Sequence, residues 1–148
     1  PAARDQLHTM GLDIVAERPG AWVRLLGWPG DHARLLEAGV DGIWVSNHGG
    51  RQFDAVRPAI DALPEIRAEA GADVPLVFDG GVRSGTDVLR AVALGADMVM
   101  LGRAWHWGVG AFGQAGADHV AHVLRAGMIA DLGQMGIARP VEARERLA

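Results

Sequence analysis

The chain has 148 residues, of which 49% are hydrophobic, and it carries a formal net charge of −4 and no cysteine. These values indicate one globular domain, or part of one, over residues 1–148 and exclude a disordered tail, disulfides and thiolate metal sites. Because acidic and basic residues are interspersed and no apolar stretch approaches the ~20 residues that cross a bilayer, the sequence predicts a cytoplasmic protein without nucleic-acid partners or a transmembrane segment.

Residues 1–30 give the weakest assignment, and only the apolar run at 21–26 is interpreted there, as a short strand. A helix is predicted over 31–38, because Asp31 can cap its start and Gly39 can end it. The informative part of the chain begins after this glycine.

A weak internal repeat follows, in which three similar segments end a helix at glycine and lead into an apolar run rich in strand-forming residues. The predicted strands lie at 43–45, 74–78 and 98–101. Helices are predicted at 56–70, opened near Pro58, at 86–94, capped by Ser84 or Thr86, at 117–135, and after Pro140. Strands and helices that alternate at this spacing are typical of a parallel sheet or barrel.

The first strand of this repeat ends in a dense polar stretch, Ser46-Asn47-His48-Gly49-Gly50-Arg51-Gln52-Phe53-Asp54. The strand period of two puts Ser46 and His48 on one face. The two glycines let the backbone turn sharply or approach a ligand, and the planar guanidinium of Arg51 suits a carboxylate. A lone histidine such as His48 is usually structural, and a lone arginine such as Arg51 is usually solvated. A base and an anion-binding group within four residues nevertheless indicate a site.

The next strand ends in a glycine-rich turn before a predicted helix, Asp79-Gly80-Gly81-Val82-Arg83, and the last strand ends in Gly102-Arg103. Glycine amides, a helix N-terminus and Arg83 together predict an anion site, most simply for a phosphate. Ligands of α/β folds bind at the carboxyl ends of strands, so the three turns are expected to line one site.

The stretches at 46–54 and 79–103 closely resemble the signature of the FMN-dependent α-hydroxy acid oxidase and dehydrogenase family, which includes glycolate oxidase, L-lactate dehydrogenase and mandelate dehydrogenase. The resemblance implies an α/β fold, a (β/α)₈ TIM barrel of which this chain holds about four βα units and the C-terminal helices. It also implies FMN as cofactor. The implied contacts are Ser46 at the isoalloxazine, Asp79 at the ribityl chain, and, mainly at the phosphate, Gly80, Gly81, Val82, Arg83, Gly102 and Arg103.

The same resemblance implies that the protein oxidises a small (S)-2-hydroxy acid of the lactate, glycolate or mandelate type to the 2-oxo acid. His48 would take a proton from the substrate while hydride passes to FMN, and Arg51, with Arg103 as a further candidate, would hold the carboxylate. An imidazole changes charge near neutral pH, which suits a base. The alternative is a truncated, catalytically silent FMN- or phosphate-binding half-barrel that needs a partner chain.

Two departures from the family pattern bear on this alternative. The family has Lys-Gly on the strand before the histidine strand, whereas the nearest match here is Leu26-Gly27, and leucine cannot stabilise negative charge on a reduced flavin. Family members are also much longer and use substrate tyrosines, which this chain lacks. Since a half-barrel would expose sheet edges, we expect a homo-oligomer or completion by a missing N-terminal half.

The remaining motifs carry less weight. The segment 108–113 matches G-x-G-x-x-G but does not directly follow a strand, which disfavours a dinucleotide fingerprint. His119 and His122 lie one helical turn apart without a nearby third ligand, so no metal is expected, and His106 belongs to no constellation. Phosphate-binding barrels of the IMP dehydrogenase type share the glycine turns but lack the stretch at 46–54.

Overall fold

A computed structural model of the chain describes residues 13–14, 22–25, 36–37, 39–51, 54–55 and 57–146. The predicted cap Asp31 with most of its helix, and the Leu26-Gly27 pair, lie outside the described residues. Gln52 and Phe53 of the polar stretch also lie outside them.

One sheet organises the described fold. Its strands, in spatial order, are β1 (Asp13–Ile14), β2 (Trp22–Leu25), β3 (Gly42–Val45), β4 (Leu76–Phe78) and β5 (Met98–Val99). The first pair is antiparallel, and β2 to β5 are parallel. The predicted parallel sheet is therefore confirmed. Because β3, β4 and β5 run in the same direction, their carboxyl ends lie side by side at one end of the sheet.

Helices follow the strands, as the sequence predicts. They are α1 (Ala59–Ala70), α2 (Gly85–Ala93) and α3 (Arg103–Met135), with 3₁₀ turns at His48–Gly50 and Pro140–Glu145. The helix opening near Pro58 is confirmed, although α1 starts at Ala59 and not at residue 56. Of the two predicted caps, Ser84 caps α2, because its side chain accepts the Asp87 N–H at 3.1 Å. In the centre of the sheet the residues of both faces are largely buried, since all of β4 and all of β3 except the half-buried Trp44 are buried, whereas Met98 of β5 is exposed.

The helix predicted at 117–135 is present and ends at Met135, but the predicted start is too late, because helical residues begin at Arg103 and α3 consists of two segments that meet at a break. The glycines at 108–113 look like a loop, yet they serve packing. Phe112 and Gly113 leave the helical conformation, and beyond this break the backbone of Gly116 returns to Gly108. A Cβ on Gly108 would lie 2.6 Å from the Gly116 carbonyl oxygen, so only glycine allows the contact.

Long as α3 is, none of the helices described combines the length and apolarity that a membrane crossing requires.

At the opposite end of the strands, where the parallel strands begin, one carboxylate connects several segments. Asp97, just before β5, accepts the Leu76 N–H at 2.9 Å and pairs with the guanidinium groups of Arg67 and Arg144. Arg67 also donates to the Gly95 carbonyl at 2.9 Å, and Arg144 donates to the Ala96 carbonyl at 2.9 Å. Partial burial opposes ionisation of Asp97, but these hydrogen bonds and charges outweigh it and lower its pKa.

The contact between α2 and α3 gives the first prediction. A Cβ on Gly85 would lie 2.1 Å from the Met128 backbone nitrogen. We expect Gly85→Ala to lower the free energy of unfolding by about 3 kcal/mol, because the helices must separate to admit a methyl group. Gly133→Ala is the matched control, since a Cβ there meets nothing within 4 Å. Urea unfolding that ranks Gly85→Ala level with the control would contradict this packing.

Asp97 gives the second prediction. We expect Asp97→Asn to lower the free energy of unfolding at pH 7 by about 1–2 kcal/mol. Because the folded chain lowers the pKa of Asp97 below its ordinary value of 3.8, its contribution is complete above that value and is lost as pH falls through the folded pKa. Wild type and variant should therefore converge in acid. Asp73→Asn, at an exposed turn, is the control, and a difference independent of pH would count against the argument.

Candidate functional site

The three polar turns that follow β3, β4 and β5 surround one cavity of ≈ 330 Å³. This volume lies in the range of small-molecule sites. All ten residues that the sequence nominated line it, together with three that it did not nominate. The lining residues are Ser46, His48, Gly49, Arg51, Asp79, Gly80, Gly81, Val82, Arg83, Leu101, Gly102, Arg103 and His106. The expectation that these turns share one site is thus met geometrically.

The turn after β3 holds His48 in an uncommon backbone conformation. Its φ of 55° is the only positive value of a non-glycine residue in the described part of the chain, and Gly49 and Gly50 follow with φ of 64° and 73°. Two side chains fix the turn, because Ser46 Oγ accepts the His48 N–H at 3.0 Å and Asn47 Oδ1 accepts the Gly49 N–H at 3.0 Å. Strained backbone of this kind clusters at functional sites.

Ser46 also joins this turn to the next one. Its side chain is 1% exposed, and its hydroxyl donates a hydrogen bond to the carboxylate of Asp79 at the end of β4. The same oxygen accepts the His48 N–H, so one buried hydroxyl sets the relative position of His48 and Asp79. Sequence reasoning placed Ser46 and Asp79 in one site but did not foresee the bond between them.

The turn after β4 depends on glycine. Gly80 and Gly81 have φ of 119° and 81°, and a Cβ on Gly80 would lie 3.0 Å from Asn47 Oδ1. The α2 N-terminus behind this turn is capped by the chain itself, because the N–H groups of Arg83 and Ser84 both donate to Asp87 Oδ2 at 3.0 Å. These two amides are therefore engaged within the turn itself.

Guanidinium groups reach the cavity from all three turns. Arg83 lies over the Trp107 ring, 5.6 Å from its centroid, and Arg103 Nη2 donates to the Gly49 carbonyl at 3.4 Å. Arg51, at the end of the first turn, is exposed. Against these three permanent charges the cavity lining holds one carboxylate, Asp79. An excess of positive charge in a cleft favours an anionic ligand.

His106 was missed by the sequence analysis, which assigned it to no constellation. It lines the cavity one turn into α3, and its Nδ1 lies 2.9 Å from the Gly102 carbonyl oxygen. The signal that could have found it is its spacing, because a residue three positions after Arg103 lies on the same helix face.

The cavity fits the phosphate end of FMN. A Cβ on Gly81 or Gly102 would meet nothing within 4 Å, so open space lies beside the backbone of both residues. Arg83 and Arg103 carry the positive charge and the forked donors that a phosphate requires. The donor set holds no cluster of metal ligands among the described residues.

A known protein family matches most of the chain. The model of that family, described as FMN-dependent dehydrogenase, matches residues 27–148. Among curated proteins, pre-mycofactocin synthase of Mycobacterium tuberculosis is 48% identical over 108 residues, 73% of this chain and 27% of that protein. L-lactate oxidase of Alicycliphilus denitrificans is 39% identical over 85% of this chain and 34% of that protein. The chain thus spans about a quarter to a third of such relatives.

Solved structures agree. Mandelate oxidase with (S)-4-hydroxymandelic acid superposes with a TM-score of 0.80 at 38% identity, over 86% of this chain and 36% of that one. A mandelate oxidase mutant with the monooxide FMN adduct gives the same TM-score and identity. The sheet and helices are therefore part of a (β/α)₈ barrel, and the fold prediction is confirmed.

The backbone of His48 gives the third prediction. His48 has a φ of 55°, which only glycine adopts without a steric penalty. We therefore expect the free energy of unfolding of His48→Gly to exceed that of His48→Ala by about 1 kcal/mol. Arg51, with φ of −75°, is the control, and there alanine should equal or exceed glycine. Urea unfolding of the four variants checks this, and alanine above glycine at position 48 would refute the strain.

Proposed function

The chain belongs to the FMN-dependent dehydrogenase family, and on that basis we propose that it forms the FMN-phosphate-binding and catalytic-base part of an enzyme that oxidises a small (S)-2-hydroxy acid to the 2-oxo acid. The observation that carries this proposal is the shared cavity, in which His48 and Arg51 adjoin the phosphate-type turns of Arg83 and Arg103. L-lactate oxidase and mandelate oxidase are among the similar proteins, which supports this substrate class.

The proposed roles follow from the chemistry of the side chains. Arg51, with Arg103 as a second candidate, binds the substrate carboxylate through paired N–H donors and so orients the α-carbon. His48 accepts the proton of the 2-hydroxyl group on a nitrogen of its imidazole ring. The hydrogen bond from the backbone N–H of His48 to Ser46 Oγ holds the turn in position. When bound, FMN supplies the acceptor for the hydride that leaves the α-carbon.

The cofactor contacts are proposed residue by residue. Arg83 and Arg103 bind the phosphate, and Gly80, Gly81, Val82 and Gly102 let it approach the backbone. Asp79 faces the ribityl chain and Ser46 the isoalloxazine, which requires the Ser46–Asp79 hydrogen bond to coexist with the flavin. Cytoplasmic location and a homo-oligomeric state stay predictions.

A second candidate function is FMN or phosphate binding without turnover by this chain alone. It is favoured by the span of the chain, which covers 27% and 34% of the two curated relatives compared above. On this proposal, a partner chain or the remainder of a longer protein supplies further contacts to flavin and substrate.

The fourth prediction tests flavin binding. The purified chain is titrated with FMN while flavin fluorescence and visible absorption are followed. We expect saturable binding, weakened about tenfold or more in Arg83→Ala, because a charge-assisted phosphate contact is lost. Arg90→Ala is the matched control, since Arg90 is an exposed residue of α2 outside the cavity lining. Equal affinities of the two variants would refute the assignment of Arg83.

The same preparation separates the two candidate functions. L-lactate, glycolate or (S)-mandelate is added anaerobically to the flavin-loaded chain. Bleaching of the flavin that is lost in His48→Gln, with FMN affinity retained, supports the oxidase. Binding without bleaching supports the silent binding module, and no binding at high micromolar FMN argues against both.

A further inference from the structure

We propose that His106 is an additional ligand for the phosphate of the bound flavin and that it attracts this phosphate only when its imidazole is protonated. The inference rests on the proposed function and extends it, because it makes cofactor affinity depend on pH through a residue outside the two glycine-arginine motifs.

The position of His106 supports this role. It lines the cavity beside Gly102 and Arg103, which the proposed function assigns to the phosphate. The neighbouring Trp107 ring lies against Arg83, 5.6 Å from the guanidinium carbon. The first turn of α3 therefore meets the phosphate-binding turn after β4, and His106 lines the cavity next to this contact in sequence.

The hydrogen bond of His106 decides how its charge acts. Its Nδ1 lies 2.9 Å from the Gly102 carbonyl oxygen, which can only accept, so Nδ1 carries a proton. The neutral ring consequently has a bare Nε2 that can only accept. At pH 8.0 the flavin phosphate is a dianion that offers only acceptors, so the neutral ring cannot bond to it there. Protonation turns Nε2 into a donor and adds a positive charge.

Other charged groups face the same cavity and must be separated from this effect. They are His48 and Arg51 after β3, Asp79 and Arg83 after β4, and Arg103 at the start of α3. The arginines stay charged throughout, so they add no pH dependence near neutrality. His48 is assigned to the substrate side of the flavin and should affect FMN and riboflavin alike. The flavin phosphate has its own ionisation near pH ~6, which is common to every variant.

The experiment compares FMN with riboflavin, which lacks the phosphate. Dissociation constants of both flavins are measured by fluorescence at pH 5.5 and 8.0, and the ratio of the two affinities is the readout. We expect His106→Asn to lower the FMN preference about three- to tenfold at pH 5.5 and to leave it nearly unchanged at pH 8.0. The comparison of variants cancels the ionisation of the phosphate itself.

Two further variants distinguish charge from structure. His106→Lys keeps a positive charge at both pH values, so it should retain the FMN preference at pH 5.5 and exceed wild type at pH 8.0. His119→Asn makes the matched substitution at an exposed histidine of the same helix, outside the cavity lining, and should behave as wild type. A merely structural role of His106 would give a loss that is the same at both pH values and is not restored by lysine.

The outcomes separate this inference from the proposed function. If Arg83→Ala lowers the FMN preference and His106→Asn does not, the proposed phosphate site stands and the role of His106 is refuted. If neither variant changes the ratio, or wild type does not bind FMN, both proposals are overturned. A His106→Asn effect of equal size at the two pH values refutes the charge dependence.

Discussion

The buried hydroxyl of Ser46 is the contact on which the site depends. It donates to the Asp79 carboxylate and accepts the His48 N–H, so the turns after β3 and β4 are joined inside the protein. Without it, two turns that are 33 residues apart in sequence would be aligned only by the sheet behind them. A buried polar group must be paired, and here the pairing itself holds the proposed base beside the proposed cofactor turn.

The cavity achieves a positive potential in a chain whose net charge is −4. It does so by holding each guanidinium in a different way, Arg83 against the Trp107 ring and Arg103 on the Gly49 carbonyl. Glycine suits position 49 because its φ is 64°, and a Cβ there would also lie 3.3 Å from Arg103 Nη2. Pre-positioned guanidinium groups lose less side-chain entropy when an anion binds.

The amino ends and the carboxyl ends of the parallel strands have different roles, stability at the first and ligand binding at the second. At the edge where the parallel strands begin, Asp97 links Arg67, Arg144 and the β4 backbone, and none of these residues lines the cavity. At the opposite edge the turns carry strained backbone, exposed arginines and a cleft. Barrels of this kind separate stability from function in the same manner, which allows the site to hold a residue such as His48 at positive φ.

By itself the sequence determined the parallel α/β fold, the approximate starts of α1 and α2, and ten of the thirteen residues that line the cavity. These follow from local patterns: apolar runs, caps at Pro58 and Ser84, and glycine turns at strand ends. Only the tertiary structure decided the rest. This part comprises the helical segment that starts at Arg103 and breaks at Phe112, the Gly85 contact with Met128, the Ser46–Asp79 bond and the presence of His106 in the cavity. These features depend on segments that are distant in sequence or on close approach of the backbone, which composition and periodicity do not encode.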